Sequence, residues 1–132
     1  MRTFLFLLVL FTGINLSPAR PIRILVVTGG HSYKVEQFNQ MLESLGPQIT
    51  YEVMELPGAY DMFLPENRNR YDVLVFYHMW QKITDEQAKA FTECIESGKP
   101  VVALHHSICA YDSWPGYWDM IGGKYFHSAT NY

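Results

Sequence analysis

Residues 23–32 read R-I-L-V-V-T-G-G-H-S and decide the fold. The β-branched run from Arg23 to Thr28 is typical of a strand buried on both faces. The two glycines after it predict a tight turn, and Ser32 is a candidate cap for a helix that reaches about Leu45. The apolar face of that helix is predicted to hold Val35, Phe38, Met41, Leu42 and Leu45.

The alternation of strand and helix continues along the chain. Further strands are predicted at Ile49–Met54, Asp72–Tyr77 and Val101–Leu104. Residues 56–70 are rich in proline, glycine and asparagine and predict a loop, whereas the segment from Trp114 onward gives no clear prediction.

A helix is predicted between the third and fourth strands, because Thr84 and Gln87 have the spacing of a capping box. Strands that alternate with helices predict an α/β fold with a parallel sheet and helices on both faces. Since crossovers between parallel strands are right-handed, we predict a doubly wound, flavodoxin-like sheet with strand order 2-1-3-4.

The composition is that of one globular domain. The chain has 132 residues, of which 48% are apolar and 17% charged, and its formal net charge is −3. No block of basic residues is present in the sequence, which argues against a nucleic acid or an anionic membrane surface as a partner. A homo-oligomer is compatible with the sequence.

The N-terminal segment predicts export. Phe4–Phe11 is an unbroken apolar run, shorter than the about 20 residues that a membrane-spanning helix needs. Ser17 and Ala19 provide small residues before a cleavage site. We therefore expect residues 1–19 to be a signal peptide and residues 20–132 to be the domain, with a periplasmic or extracellular location and no stable membrane span after cleavage. A buried N-terminal strand or helix is the alternative.

The chain has two cysteines, Cys94 and Cys109. An exported protein meets oxidising conditions, in which the two residues could pair. Two buried free thiols are an equally good prediction, because cysteine is often a small core residue.

Four of the five histidines directly follow predicted strands. His31 follows the first strand, His78 the third, and His105 and His106 the fourth. Ligands of such sheets bind beyond the carboxyl ends of the strands, near the point where strand order reverses. We predict His31, His105 and His106 as catalytic acid/base residues acting as a group, although a single histidine at such a position is more often a loop or packing residue.

A divalent metal ion is a second possibility for these histidines. His31, His78 and His105 would be the ligands, because three imidazoles from separate strands can hold zinc and leave one position open. The signal is weak, since the sequence has no H-x-x-x-H or H-E-x-x-H spacing.

The predicted substrate-binding residues surround the same strand ends. They combine polar groups with aromatic rings, whose flat apolar faces and polar edges suit sugars. Packing in the core is the alternative for the rings, and a helix cap is the alternative for the serine. The set is Gly30, His78, Trp80, Ser107, Tyr111 and Trp118.

Five segments resemble the trehalose-utilisation (ThuA-like) family from about residue 22 to the end: Ile24–Ser32, Tyr71–Tyr77, Gly98–Ser107, Trp114–Trp118 and Ile121–His127. The resemblance implies the three-layer, flavodoxin-like fold of the class I glutamine amidotransferase superfamily. His105 stands where those amidotransferases carry their nucleophilic cysteine, so Cys-dependent amidotransferase activity is not expected. Domains of this family are longer than residues 20–132, and the fold is therefore expected to be incomplete at its C-terminal end.

The resemblance implies a function in the use of trehalose, other disaccharides or keto-sugars. We expect an exported protein that acts on a small sugar as a hydrolase, lyase or isomerase through the histidines at the strand ends. A noncatalytic carbohydrate-binding or accessory module is the alternative, and a flavin-binding relative of flavodoxin is a weaker third one.

Overall fold

The computed structural model describes residues 20–126. The predicted signal peptide, residues 1–19, and His127 lie outside these residues. Within the described range, no helix has the length and apolar character that a membrane crossing requires.

The described residues form one parallel sheet with the predicted strand order, β2-β1-β3-β4. This order confirms the doubly wound α/β fold. The strands are β1 (Ile22–Gly29), β2 (Ile49–Glu55), β3 (Val73–His78) and β4 (Val101–Ala103).

The register brings the carboxyl ends of three strands to one edge. Gly29 at the end of β1 pairs with His78 at the end of β3, and Phe76 pairs with Ala103 at the end of β4. Residues that follow these strands therefore emerge side by side. The centre of β1 is fully buried because strands flank it on both sides and helices cover both faces.

One face of the sheet is covered by α1 (Val35–Glu43), which buries Phe38 and Leu42 against Val26 and Val75. The expected start at Ser32 is wrong: Lys34 occupies the N-cap position and makes no capping hydrogen bond through its side chain.

The predicted apolar face of α1 is also partly wrong. Val35 and Leu45 are exposed: Val35 is the first residue of the helix, and Leu45 lies beyond its end. Met41 is exposed as well.

The opposite face is covered by α2 (Asp85–Glu96), α3 (Pro115–Ile121) and a 3-10 helix at Gly58–Phe63. The predicted capping box at the start of α2 is confirmed, since Thr84 and Gln87 make both reciprocal hydrogen bonds. This face holds the larger core, in which buried rings pack edge to face, stacked or tilted: Phe63, Phe76, Phe91 and Tyr117.

Two segments are more ordered than the sequence predicts. Residues 56–70 contain the 3-10 helix at Gly58–Phe63, which buries Ala59, Tyr60, Met62 and Phe63, and a shorter one at Arg68–Arg70. A 3-10 helix at His105–Cys109 also follows β4.

Both cysteines are buried free thiols. The Cys94 sulfur lies 3.2 Å from the Tyr71 hydroxyl oxygen, and the Cys109 thiol donates to the backbone oxygen of His106, 2.9 Å away. The alternative of two core thiols is therefore the one the fold adopts.

Candidate functional site

A cavity of about 380 Å³ opens at the carboxyl ends of the strands, on the face covered by α1. Three chain segments bring side chains to it. His31 follows β1, Tyr77 is the penultimate residue of β3, and His105 and His106 begin the 3-10 helix after β4. We call this space the histidine cavity.

The rings in the histidine cavity touch one another. The centroids of His105 and His106 are 3.7 Å apart, and those of His31 and His106 are 5.2 Å apart. The Tyr77 ring lies edge-on to His31 at 4.8 Å and 6.2 Å from His105. Three imidazoles predicted from separate positions in the sequence thus form one cluster.

The turn that carries His105 is backbone-strained. Leu104 is extended, whereas His105 has a φ of +50°, in the left-handed region that non-glycine residues seldom adopt. Such strain is concentrated at functional sites, where it fixes a side chain in an exposed position. Here it directs the strand abruptly into the 3-10 helix and leaves His105 exposed beside the cavity.

Two imidazole nitrogens of the cluster are buried and make no hydrogen bond within residues 20–126: His31 Nε2 and His106 Nδ1. His31 Nδ1 lies 3.2 Å from the backbone oxygen of Ser32. Because a carbonyl oxygen only accepts, Nδ1 carries the proton in that contact, and in the neutral ring Nε2 then presents a lone pair.

The surroundings of His106 favour its neutral form. Burial lowers the pKa of His106 below its usual value, and the neighbouring His105 and His31 lower it further because like charges repel. A neutral imidazole at neutral pH is able to accept a proton.

The α1 side of the histidine cavity adds an ammonium group from Lys34 and an amide from Gln37. Tyr33 packs against Tyr77 with a centroid distance of 5.4 Å, and Phe38 stacks on Tyr77 at 4.6 Å. The wall therefore combines flat apolar rings with groups that make hydrogen bonds, as small-molecule sites do.

His78 lies on the other face of the sheet, because consecutive residues of a strand point to opposite faces. It is fully buried, and its ring contacts Phe76, Tyr111 and Tyr117 at centroid distances of 5.0, 5.6 and 6.1 Å. Burial, and to a lesser extent the charge on His31, lowers its pKa to about 3. Both of its ring nitrogens make no hydrogen bond within the described residues.

The predicted metal-ligand set of His31, His78 and His105 is consequently not assembled. Among residues 20–126, no group of three or more histidine, cysteine, aspartate or glutamate side chains is placed to hold a metal ion. The physical reason is that side chains alternate along β3. Tyr77 lies on the face of His31 and His105, and His78 lies on the opposite face.

Three of the predicted substrate-binding residues make hydrogen bonds within the protein instead of lining the histidine cavity. Ser107 is buried, and its hydroxyl donates to the Leu104 oxygen at 2.8 Å. The Tyr111 hydroxyl lies 3.1 Å from that of Tyr60, and Trp118 Nε1 donates to the Tyr111 backbone oxygen at 2.8 Å. None of the three lines the histidine cavity.

Gly30 shapes the turn before His31. Its φ is +81°, and a Cβ atom there would lie only 1.5 Å from the Met79 backbone oxygen. Met79 is fixed in place, since its N–H donates to the Gly29 oxygen at 2.9 Å. Only glycine fits this close approach of the β1 and β3 tips.

A model of the trehalose-utilisation (ThuA) family matches residues 23–131, which include His31, His105 and His106. The chain belongs to the ThuA family. No curated protein and no solved structure matches it. Membership in the ThuA family confirms the resemblance seen in the sequence and relates the chain to trehalose utilisation.

Sequence reasoning missed the aromatic and α1 contributions to the site of this ThuA family member. Tyr77 was predictable from its neighbour His78. Successive side chains of a strand point to opposite faces of the sheet, so if His78 lies on one face at the strand end, Tyr77 lies on the other. Tyr33, Lys34 and Gln37 gave no comparable signal, since they belong to the turn and first helical residues whose orientation depends on where α1 begins.

Proposed function

We propose that this chain is an exported sugar-processing protein whose histidine cavity binds a sugar and transfers protons to and from it. The observation that carries the proposal is the contact of three imidazoles, 3.7 and 5.2 Å apart, at the strand ends of a trehalose-utilisation family member. Imidazole is the side chain best suited to exchange protons near neutral pH.

The size and chemistry of the cavity support a sugar as the ligand. Its volume of about 380 Å³ suits one sugar ring. Tyr33 and Tyr77 present ring faces and edges against which the C–H groups of a sugar pack. Lys34 and Gln37 provide donors and an acceptor for its hydroxyl groups.

Within the classes of sugar chemistry, an imidazole cluster favours isomerisation of a keto-sugar, because that reaction needs only an acid and a base. His106, whose pKa is lowered, takes the proton from the carbon next to the carbonyl. His105 donates a proton to the carbonyl oxygen, which gives an enediol. His106 then returns its proton to the former carbonyl carbon, and His105 takes the proton from the hydroxyl group on the adjacent carbon, so the reaction needs no redox partner.

Close packing of the imidazoles supports this division of roles. A proton on one ring disfavours a proton on the next, so the cluster holds one charged and one neutral ring more readily than two charged rings. His31, held through Nδ1 at the Ser32 oxygen, is assigned to substrate positioning.

The test is a pair of measurements on residues 20–132, with trehalose and its keto form as probes. Calorimetry gives the Kd, and proton NMR in D2O gives the rate of deuterium uptake next to the carbonyl. We expect His106→Ala to lower the uptake rate at least about 100-fold and to change the Kd by less than roughly threefold.

A matched glutamine pair controls for surface effects. Gln37→Ala removes a cavity side chain and should weaken binding, whereas Gln40→Ala, one turn along α1 and outside the cavity lining, should not. Binding without deuterium uptake in the wild type would indicate a carbohydrate-binding module and refute catalysis. Absence of binding to either sugar would refute the whole proposal.

Export is supported by the apolar run Phe4–Phe11 and the small residues Ser17 and Ala19. N-terminal sequencing of protein recovered from the producing cells should find Arg20 as the first residue. Recovery of protein that still begins with Met1 would contradict export by this route.

A further inference from the structure

The histidine cavity contains basic side chains and no acidic one. The ammonium group of Lys34 and the three clustered imidazoles line it, whereas no aspartate or glutamate of residues 20–126 does. Glu36, in the first turn of α1, is exposed outside this lining. The chain as a whole is acidic, with 13 Asp+Glu against 10 Lys+Arg, so its composition does not account for a cavity without carboxylates.

Arginine side chains at the opposite end of the sheet have a carboxylate partner. Near the amino ends of the strands, Arg20 and Arg23 form ion pairs with Asp72, with nitrogen–oxygen distances of 2.7 and 3.0 Å. By contrast, the ammonium group of Lys34 makes no hydrogen bond or ion pair with any of residues 20–126. It is exposed beside the cavity and is therefore available to an acidic group of a ligand.

The imidazoles of the cavity also have no carboxylate partner within the described residues. No histidine takes part in an ion pair there. An imidazole that works as an acid is commonly held by a carboxylate, which stabilises its charged form. His105 is the acid of the proposed reaction, and a charge on its ring meets no negative group in the cavity lining.

Lys34 and His105 reach the cavity from different elements. Lys34 is the residue before α1, and His105 is the first residue of the 3-10 helix after β4. Both side chains are exposed, so a ligand in the cavity has access to both. One acidic group on the ligand thus supplies the negative charge that the cavity lining does not contain, and it attracts both cations.

We infer that the histidine cavity takes an acidic sugar, whose carboxylate or phosphate group contacts Lys34 and stabilises the charged form of His105. This inference rests on the proposed function and deepens it by naming the charge of the substrate. His105 takes its proton from the solvent as the acidic sugar binds, and Lys34 is a binding residue that takes no part in proton transfer. Neutral sugars enter the same cavity and bind more weakly.

The experiment measures by calorimetry the Kd of the purified protein for three sugars. Glucuronate carries a carboxylate, glucose 6-phosphate carries a phosphate, and glucuronamide is the neutral counterpart of glucuronate with nearly the same shape. At least one acidic sugar should bind about tenfold more tightly than glucuronamide. The acidic sugar with the larger gain identifies the group, carboxylate or phosphate, that the cavity selects.

Variants of Lys34 locate the acidic group. Lys34→Gln removes the charge and should weaken binding of the preferred acidic sugar about three- to fivefold, with less than about a twofold change for glucuronamide. Lys34→Arg keeps the charge and should retain the preference. Lys82→Gln, the same change at an exposed lysine outside the histidine cavity, is the matched control and should change neither affinity.

A second readout follows the ring nitrogens of His105 by NMR near neutral pH. Saturation with the preferred acidic sugar should move their signals toward those of a protonated imidazole, whereas saturation with glucuronamide should not. A purely structural effect of Lys34 would leave this difference between the two sugars unexplained.

Three results would overturn the inference: equal affinity of the wild type for all three sugars, a preference for acidic sugars that Lys34→Gln leaves intact, or His105 signals that respond alike to the charged and the neutral sugar. Each of these leaves sugar binding in place. Failure of the proposed function is distinguishable, because the wild type would then bind none of the three sugars.

Discussion

At the carboxyl ends of the strands, one face of the sheet is open and the other is closed by packing. On the α1 face, Tyr77 joins His31, His105 and His106 around an open cavity. On the α2 face, the next residue of the same strand, His78, is sealed among rings in the larger core.

The difference shows that proximity to a strand end does not by itself make a functional residue. One residue along β3 separates a ring that lines a cavity from an imidazole with no access to it. A face is closed only where other elements pack on it. The α2 face is closed by α2, α3 and the 3-10 helix at Gly58–Phe63.

The largest expected effect is on the free energy of unfolding, and it compares one phenylalanine from each face of the sheet. Phe91→Ala should lower the free energy of unfolding by about 3–5 kcal/mol, because Phe91 is 1% exposed and packs against four other rings. Phe38→Ala should cost about 2 kcal/mol or less, since Phe38 borders the open cavity and water can enter the space left. Urea denaturation at neutral pH measures both, and equal losses would erase the contrast between the faces.

A pH-dependent effect should come from His78. Its pKa is lowered to about 3 in the folded chain from 6.5. Between these values the unfolded chain binds a proton that the folded chain does not, so stability falls as pH drops below about 6.5. The slope is about 1.4 kcal/mol per pH unit, or about 2 kcal/mol at pH 5.

His78→Leu should remove that slope and raise stability at pH 5, because an apolar side chain of similar size replaces a ring whose nitrogens make no hydrogen bond within residues 20–126. Urea denaturation of both proteins at pH 5 and pH 7.5 checks this. Met79→Leu, a change at a buried neighbour that carries no titratable group, is the control and should keep the slope. An unchanged or steeper slope in His78→Leu would contradict the buried neutral imidazole.

The smallest expected effect contrasts the helices that cover the two faces. α1 begins without a side-chain cap, whereas α2 begins with the Thr84–Gln87 capping box. Thr84→Ala should cost about 1 kcal/mol of unfolding free energy. Thr92→Ala, the same change inside α2, should cost nothing comparable, since alanine favours helix. Equal costs would show that capping does not anchor this helix.

Much of the fold is predictable from sequence because its signals are local. Apolar β-branched runs predicted the parallel strands, and Thr84 predicted the start of α2. The start of α1 and the 3-10 helix at Gly58–Phe63 were not predictable, since tertiary contacts rather than periodicity decide them.

The candidate site is only partly predictable for a related reason. Sequence places His31, His105 and His106 at strand ends, where the fold does bring them together. It does not reveal which face each residue takes after a strand, and that choice separates His78 from the cluster.

The most direct test of the histidine cavity follows the imidazole signals of histidine-labelled residues 20–132 by NMR while trehalose is added. Single-histidine variants assign the signals. Saturable shifts are predicted for His31, His105 and His106, with no shift for His78 on the closed face. A saturable shift of His78 alone, or no shift of any of the four at saturating sugar, would contradict a sugar site built on the open face of the sheet.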